Sequence, residues 1–381
     1  MKNIVKLIVL GGLIVILAIE TSAQNARFFI PSPKAMGMGG AGVAVLSQDH
    51  IFFYNPAQLN RLRRGRLTII DAQVIFNNNL LDQIDFYNSH QDEFKNLDDF
   101  SDEQTTEFFQ EATSLVKKRA LAGFSGPLPL NLMMRNFGVG LFTRGSVDYQ
   151  MRTGASGIPI VNASLQAGLL TIVSGSYGFK TLLPGKLSVG GSIKYIYSLT
   201  SSKFQSISNL NSDLIVYHGT AIGLDLAALY NITRRLYTGF TIFDANSPTI
   251  AYEVLDVVED DSTTFIIIPE SKIEPTLRMG LAYYSKWQIT PLVNNIILAL
   301  DIDQPFDRDV TFFKKLYFGI EASLTPIFQL RAGFSQGYPS YGFGINLSIL
   351  MFDYAFYGEE WGHYAGQQSN WNHLFRFRFG F

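Results

Sequence analysis

The last eight residues of the chain alternate between aromatic and polar or small side chains. One face of this segment carries Phe375, Phe377, Phe379 and Phe381. The other face carries Arg376, Arg378 and Gly380. Successive side chains of a strand point to opposite faces, so the pattern indicates a strand with one apolar and one charged face. Two arginines are costly in an apolar core without partners, whereas the water-filled lumen of a barrel accommodates them.

Eight further segments between Leu187 and Phe356 show the same two-residue alternation. Their second face carries small, polar or charged residues, which we predict to point into a lumen. With the two arginines above, the predicted lumen-facing charged residues are Lys194, Asp225, Arg278, Asp301, Glu321, Arg331, Asp353, Arg376 and Arg378. Because both signs of charge occur, we expect pairing across the lumen and a narrow or plugged interior.

Composition distinguishes this chain from a soluble β-sandwich, which alternation alone would also allow. Only 16% of the residues are charged, against about 25% in an average soluble domain. There are 31 phenylalanines and 18 tyrosines, yet beyond the N-terminus no apolar run reaches the roughly 18 residues of a membrane helix. A chain that is apolar on average and alternates locally is typical of a membrane barrel, in which every second residue faces lipid.

The N-terminus has the features of a secretory signal peptide. Lys2 and Lys6 precede an apolar run from Leu7 to Ile19, and the small residues Thr21-Ser22-Ala23 follow it. We predict a signal peptide over residues 1–23, with an uncleaved anchor helix as the alternative. Export of such a chain predicts the cell outer membrane as its location, with outer-membrane lipid as a partner.

We therefore predict an all-β transmembrane fold, a closed antiparallel outer-membrane β-barrel of about 14 strands. An even strand number is expected for a bacterial barrel of this length. The barrel would occupy residues 66–381, with earlier strands at Leu67–Phe76, Phe137–Thr143 and Leu165–Phe179. The terminal aromatic residues resemble the signal read by the barrel-assembly machinery, a second expected partner, and are Phe377, Phe379 and Phe381.

An acidic segment at about 77–118 interrupts the strand pattern. Ser101 and Gln104 form a capping-box pattern, which predicts a helix over Asp102–Lys118. A second helix is predicted near Asp82–Phe94. We favour an extracellular loop with local helices over an insert that folds into the barrel. A second long loop is predicted over Tyr252–Pro275.

Several sequence patterns that suggest other chemistry lack the context that this chemistry needs. Gly37–Gly42 matches G-x-G-x-x-G but has no preceding strand and no acid at the required distance. Gly333–Gly337 matches G-x-S-x-G at a predicted hairpin, and an esterase using Ser335 and His363 is kept as an alternative. There are no cysteines, the histidines lack metal-binding spacing, and the net charge is −2. We predict no enzyme, cofactor, metal site or nucleic-acid partner.

The N-terminal region carries a family resemblance. A glycine-rich stretch is followed by a short polar stretch and then by Asn-Pro-Ala, at Gly37, Gly39, Gly40, Gly42, Asn55, Pro56 and Ala57. This order resembles the start of mature FadL-type long-chain fatty-acid transporters and the related PorV-type outer-membrane proteins. The last strands, from Leu330 to Phe381, are also similar to that group.

The resemblance implies a 14-stranded barrel whose N-terminal segment, residues 24–65, folds into the lumen as a hatch. In such transporters a hydrophobic ligand binds from outside, the hatch shifts, and the ligand leaves sideways into the membrane. The implied function is transport of hydrophobic or amphipathic small molecules. The alternative is a PorV-like accessory role, in which the barrel binds exported proteins of a secretion or surface-attachment system. A lumen filled by the helical insert would favour that alternative.

Overall fold

The computed structural model describes residues 28–47, 49, 51–89, 115, 118–153, 159–180, 185–206, 216–256, 270–285, 295–362 and 364–380. The predicted signal peptide, Phe381, His363 and nearly all of the predicted helix Asp102–Lys118 lie outside these residues. Within the described ranges, no helix combines the length and apolar character needed to cross a bilayer.

One antiparallel sheet of sixteen strands forms the wall in the described residues. The strands are β1 (Arg66–Asn77), β2 (Arg119–Met134), β3 (Phe137–Thr153), β4 (Pro159–Lys180), β5 (Lys186–Ser206), β6 (Val216–Asn231), β7 (Leu236–Phe243), β8 (Thr249–Asp256), β9 (Glu270–Lys272), β10 (Thr276–Ser285), β11 (Asn295–Asp303), β12 (Leu316–Ser323), β13 (Phe328–Ser335), β14 (Tyr338–Asn346), β15 (Leu350–Glu360) and β16 (Ser369–Gly380).

The sheet closes on itself, because β1 pairs with β16 and β5 pairs with β6. The hairpin β8–β9 pairs with the first residues of β6, positions 216–220, and is not part of the closed ring. The ring therefore contains fourteen strands. The prediction of a closed antiparallel barrel of about 14 strands is confirmed. The predicted loop Tyr252–Pro275 is partly wrong. Residues 252–256 belong to strand β8. In this strand the buried side chains of Ile250 and Tyr252 alternate with exposed ones, which is the pattern of a strand with one inward face.

The outer surface of the wall is apolar. In β16, every second side chain from Asn370 to Arg378 is buried, and Phe377 between them is 46% exposed. Ile193 of β5 and Ile222 of β6 are also exposed. A closed sheet satisfies its own backbone hydrogen bonds, so an apolar exterior of this kind suits lipid.

The N-terminal segment fills the interior of the barrel, where it forms helix α1 (Pro33–Gly37) and a 3-10 helix (Pro56–Arg61). Phe28, Ile30 and Phe52 of this segment pack against inward side chains of the wall such as Phe142 and Leu170. The main apolar core of the protein is therefore the contact between the N-terminal segment and the wall. We call residues 28–65 the hatch.

The start of the acidic insert is helical and lies at the ends of the strands. Helix α2 (Asn78–Ser89) begins four residues before the predicted Asp82, because the Asn77 side chain accepts a hydrogen bond from the Leu80 backbone N–H. Asp82 of α2 pairs with Lys118 at 2.9 Å, beside the start of β2. The helix therefore lies at the ends of the strands.

The hatch and its seat in the barrel lumen

On one side of the lumen the hatch lies on glycines of the wall. A Cβ built on Gly333 of β13 or on Gly319 of β12 would overlap the hatch backbone at Met38 and Gly39. Gly39 and Gly40 adopt positive φ angles of 64° and 82°, which glycine tolerates best. The predicted hatch glycines thus allow the hatch backbone to touch the wall backbone directly.

The same close packing recurs on strands further round the barrel. A Cβ on Gly239 of β7 would lie 2.7 Å from the Val43 carbonyl oxygen. A Cβ on Gly190 of β5 would lie 2.6 Å from the Ala57 backbone nitrogen. Both distances are shorter than real Cβ atoms allow, so the wall glycines together form a seat shaped to the hatch backbone.

Asp301 holds the turn of the hatch that follows the glycines. Its Oδ2 accepts hydrogen bonds from the backbone N–H groups of Gly42, at 2.8 Å, and Val43, at 3.0 Å. Asp301 is fully buried, and a buried carboxylate that accepts such bonds fixes the position of the segment that donates them. Next to it, Arg278 pairs with Asp303 at 2.9 Å.

A four-residue ion network joins α1 to the wall. Lys34 of α1 pairs with Glu321 at 2.7 Å, and Glu321 pairs with Arg331 at 2.8 Å. Arg331 in turn contacts Asp353 at 2.7 Å. The three wall residues are buried on β12, β13 and β15. Alternating signs let each buried charge meet an opposite one, as such burial requires.

A second network joins the hatch to the last strand. Asp49 of the hatch pairs with both Arg376 and Arg378 of β16. Arg376 also donates from Nε to Asp71 of β1 at 2.6 Å. The two arginines of the C-terminal alternation are therefore buried between hatch and wall.

Lys194 and Asp225 lie apart from the hatch networks. Lys194 of β5 contacts Asp225 of β6 at 2.7 Å and Asp244, just after β7, at 2.5 Å. All three are buried. This cluster joins neighbouring wall strands to one another.

The Asn-Pro-Ala motif forms the start of the 3-10 helix. The Asn55 side chain accepts from the Ala57 backbone N–H at 3.0 Å. It also donates to the carbonyl oxygens of Val43 at 2.9 Å and Ala228 at 3.1 Å. Asn55 thus caps the helix and joins two parts of the hatch to β6. Burial raises the pKa of the neighbouring Tyr54 hydroxyl.

The regular pairing of β1 with β2 is interrupted. Thr68 pairs with Asn131, but the next pair is Gln73 with Ser125, so β2 uses one residue more than β1 across the gap. The register of β2 with β3 also shifts between Pro127 and Asn131. Pro127 and Pro129 occupy this stretch, and proline cannot donate to a ladder.

Two cavities border the hatch. A small one of about 30 Å³ lies next to the wall interruption, between the hatch residues Phe52 and Phe53 and the wall residues Gln73, Gly126 and Asn131. A larger one of about 520 Å³ opens at the end of the hatch, where Arg61, Arg63 and Arg64 line it. In this closed arrangement, the interior next to the interruption is too small for an organic ligand.

Comparison with known proteins identifies the family. Residues 52–292 match the family described as "F plasmid transfer operon, TraF, protein", and this match covers more than half of the chain. The chain belongs to this TraF family. No protein with a curated description matches this TraF-family chain.

Several solved structures resemble this TraF-family chain. A deltaS2 mutant of the monoaromatic hydrocarbon channel TodX superposes with a TM-score of 0.55 at 10% identity, covering 92% of this chain and 98% of that one. The toluene transporter TodX of Pseudomonas putida gives 0.48 at 10% identity, covering 92% and 98%. A FadL homologue of Pseudomonas aeruginosa gives 0.42 at 11%, covering 93% and 99%. The first likeness and the closed apolar wall define an outer-membrane β-barrel.

The TraF-family barrel also contains charged residues that sequence reasoning missed. These are the partners of the predicted charges, namely Lys34, Asp49, Asp71, Asp244 and Asp303. Asp303 follows Asp301 at the two-residue spacing of a strand, and Asp71 lies within the predicted strand Leu67–Phe76, so the alternation itself could have singled them out. Among the described residues, no group of three or more possible ligands lies close enough to hold a metal ion.

Proposed function

We propose that this barrel transports hydrophobic or amphipathic small molecules across the outer membrane, with the hatch as its gate. The observation that carries the proposal is the interruption between β1 and β2 beside an internal cavity. The TodX channel with the shared fold is described as a monoaromatic hydrocarbon channel, which is consistent with this use of the fold.

The interruption favours a sideways exit into lipid. A continuous wall would force a ligand to cross the whole lumen, where the hatch and its buried ion pairs stand in the way. At the interruption, Ile69–Ala72 and Gly126–Leu130 lie outside the regular β1–β2 register. Because these residues lack regular partners between β1 and β2, we infer that this part of the wall separates at the least cost in hydrogen bonding.

The hatch must move for such a passage to open. Phe52 and Phe53 face Phe142 of β3 across the small cavity, with ring centroids 5.6 Å and 4.9 Å away. A hydrophobic ligand that displaces these rings would exchange one set of apolar contacts for another, so its entry costs little hydrophobic free energy. The cavity would thereby extend from the lumen to the interruption.

The position of α2, with which the acidic insert begins, favours transport over the accessory role. That role predicts a lumen filled by the helical insert, whereas the hatch occupies the described lumen and α2 lies at the strand ends.

Restoring the register of β2 tests the proposal. Between Ser125 and Asn131, β2 uses two residues more than β3 uses between Arg144 and Gly140. Deleting Leu128 and Pro129 therefore gives β2 and β3 a continuous register. It leaves β1 with one residue more than β2 across the gap, which is the size of the bulge that β1 already has against β16. We expect the parent barrel to accelerate entry of the hydrophobic fluorophore N-phenyl-1-naphthylamine into cells, and the deletion to abolish that acceleration.

The control removes the same number of residues, Ser262 and Thr263, from the connection between β8 and β9. It should transport as the parent does, and all three proteins should show the heat-dependent gel mobility of a folded barrel. Equal transport by the parent and the β2 deletion would refute the sideways exit. No acceleration by the parent would refute transport of this probe class altogether.

A further inference from the structure

At the end of the barrel that carries the short hairpin turns, a group of neighbouring segments carries positive charge only. Exposed basic side chains lie in the β2–β3, β4–β5 and β6–β7 turns and in the hatch segment that leads into β1: Arg63, Arg64, Arg135, Lys180, Lys186, Arg234 and Arg235. The corresponding stretches 61–66, 134–137, 180–186 and 231–236 contain no Asp or Glu. Short turns mark the periplasmic end of such barrels.

Hydrogen bonds hold these basic segments together as one surface. Arg61 donates to the Lys186 carbonyl oxygen at 2.9 Å and to Asn231 Oδ1 at 3.2 Å. Asn60 donates to Asn136 Oδ1 in the β2–β3 turn at 2.7 Å. The end of the hatch thus connects all three turns, so their charges add to a single local field. We call this the basic surface.

The basic surface is confined to one sector of the rim. The β12–β13 and β14–β15 turns, at the same end, carry no charged residue between 324 and 327 or between 347 and 349. At the opposite end, the connections include the acidic segment that begins at α2. An anionic lipid leaflet surrounds a barrel on all sides, so attraction to lipid would not explain a patch restricted to one sector.

The large cavity adds concavity to this charge. It has a volume of about 520 Å³, is open to solvent, and is lined by Arg61, Arg63 and Arg64 together with Leu46 and Ile51. That volume falls within the range of binding pockets, and arginine pairs well with carboxylates. A polypeptide chain can enter such a cavity and still extend over the flanking turns.

We propose that the basic surface docks an extended acidic polypeptide segment on the periplasmic side of the barrel. Carboxylates of this segment pair with Arg63 and Arg64 at the cavity and with Arg234 and Arg235 on the flanking turn. This interaction is separate from small-molecule transport and requires no movement of the hatch.

Binding of a model peptide to the full-length barrel in detergent tests the proposal. The probe is a short fluorescein-labelled peptide that alternates Glu and Ser, and the control peptide has Gln in place of Glu. We expect saturable binding of the Glu peptide only, weakening as salt is added. Arg63→Gln/Arg64→Gln and Arg234→Gln/Arg235→Gln should each lower the affinity about fivefold, as expected for the loss of two exposed ion pairs.

The matched control is Arg308→Gln, which neutralises an exposed arginine between β11 and β12 at the opposite end. It should leave the affinity unchanged, and gel mobility should show that every variant is folded. Undiminished affinity in both double variants, or an equal loss in Arg308→Gln, would overturn the proposal.

A separate titration with short-chain phosphatidylglycerol and phosphatidylcholine tests the lipid alternative. Binding of phosphatidylglycerol without binding of the Glu peptide would assign the surface to lipid and refute the polypeptide proposal.

Discussion

Gly39 of the hatch lies directly on Gly333 of the wall, so closely that a Cβ on Gly333 would overlap the Gly39 backbone nitrogen. The contact joins two chain segments that are far apart in sequence. Gly39 also has a φ of 64°, so neither partner accepts a side chain without strain. The hatch is therefore positioned by backbone contact, and small changes in the wall should be felt there first.

We predict that Gly333→Ala loosens the hatch without opening the barrel. Overpacking by one methyl group costs about 1–3 kcal/mol, and the hatch can move away from it more readily than the closed wall can. Trypsin cleavage after Lys34 reports the movement, because that side chain is only 15% exposed in the seated hatch. Cleavage should be faster in Gly333→Ala than in the parent.

Gly175→Ala is the matched control for this experiment. Gly175 lies in wall strand β4, but the nearest atom to its added Cβ would be 3.9 Å away. Its cleavage rate should equal that of the parent. If both variants are cleaved at the same rate, the seat has no special role.

Asp301 should be needed to keep the glycine turn of the hatch in place. Replacing it with Ala removes the acceptor of two buried N–H groups, at a cost of about 1–3 kcal/mol for each group left unpaired. Asp301→Asn keeps one acceptor oxygen and should cost less. Hatch stability is measured by urea titration, with the rate of cleavage after Lys34 as the signal. It should decrease from the parent to the Asn variant and again to the Ala variant. Equal stability of the parent and the Ala variant would contradict the assigned role.

The wall of this barrel was predictable from sequence because its physical cause is local. Each strand meets lipid on one side and the lumen on the other, so Phe377 and Arg378 reveal their faces without knowledge of the fold. The sequence does not reveal the appended hairpin, because Tyr252 begins a stretch rich in acids that is typical of a loop. The early start of α2 depends on one cap, Asn77, whose role only the structure reveals.

The contacts of the hatch were less predictable, since they join distant parts of the chain. Asp49 and Arg378 are separated by 329 positions, and no periodic pattern pairs them. The inward glycines of the wall were expected to be merely small, and their use as a seat depends on the path of the hatch. The interruption at Pro127 depends on the register of three strands at once.

Asp49 should act as a latch between hatch and wall. Removing one member of a buried ion pair costs about 3–5 kcal/mol, because the partner charge is left uncompensated. Asp49→Asn should therefore speed Lys34 cleavage and raise conductance in planar bilayers. The double variant Asp49→Asn/Arg378→Gln should recover part of the stability lost in Asp49→Asn, as a coupling free energy in a double-mutant cycle.

Asp82→Asn provides the control for the latch. The pair of Asp82 with Lys118 is exposed, with side chains 48% and 42% accessible, so its loss should cost less than about 1 kcal/mol. Unchanged cleavage is expected there. An additive double variant, with no coupling between Asp49 and Arg378, would show that the contact does not hold the hatch.

Asn55 should tolerate neither Ala nor Asp, and the two variants should differ in their pH dependence. Asn55→Ala leaves the Ala57 N–H and two carbonyl oxygens without this partner. Asn55→Asp keeps the acceptor for Ala57 but turns a carboxylate toward the Val43 and Ala228 carbonyl oxygens, which raises the carboxyl pKa in the folded state. Protonation is then favoured by folding, so the stability of Asn55→Asp should rise as the pH falls toward about 4, near the usual pKa of Asp.

Hatch cleavage by a protease active in acid measures this rise relative to Asn55→Ala, which has no carboxyl group there. Parallel pH profiles of the two variants would mean that Asn55 does not bond both carbonyl groups, and the link that it makes between the hatch and β6 would have to be abandoned.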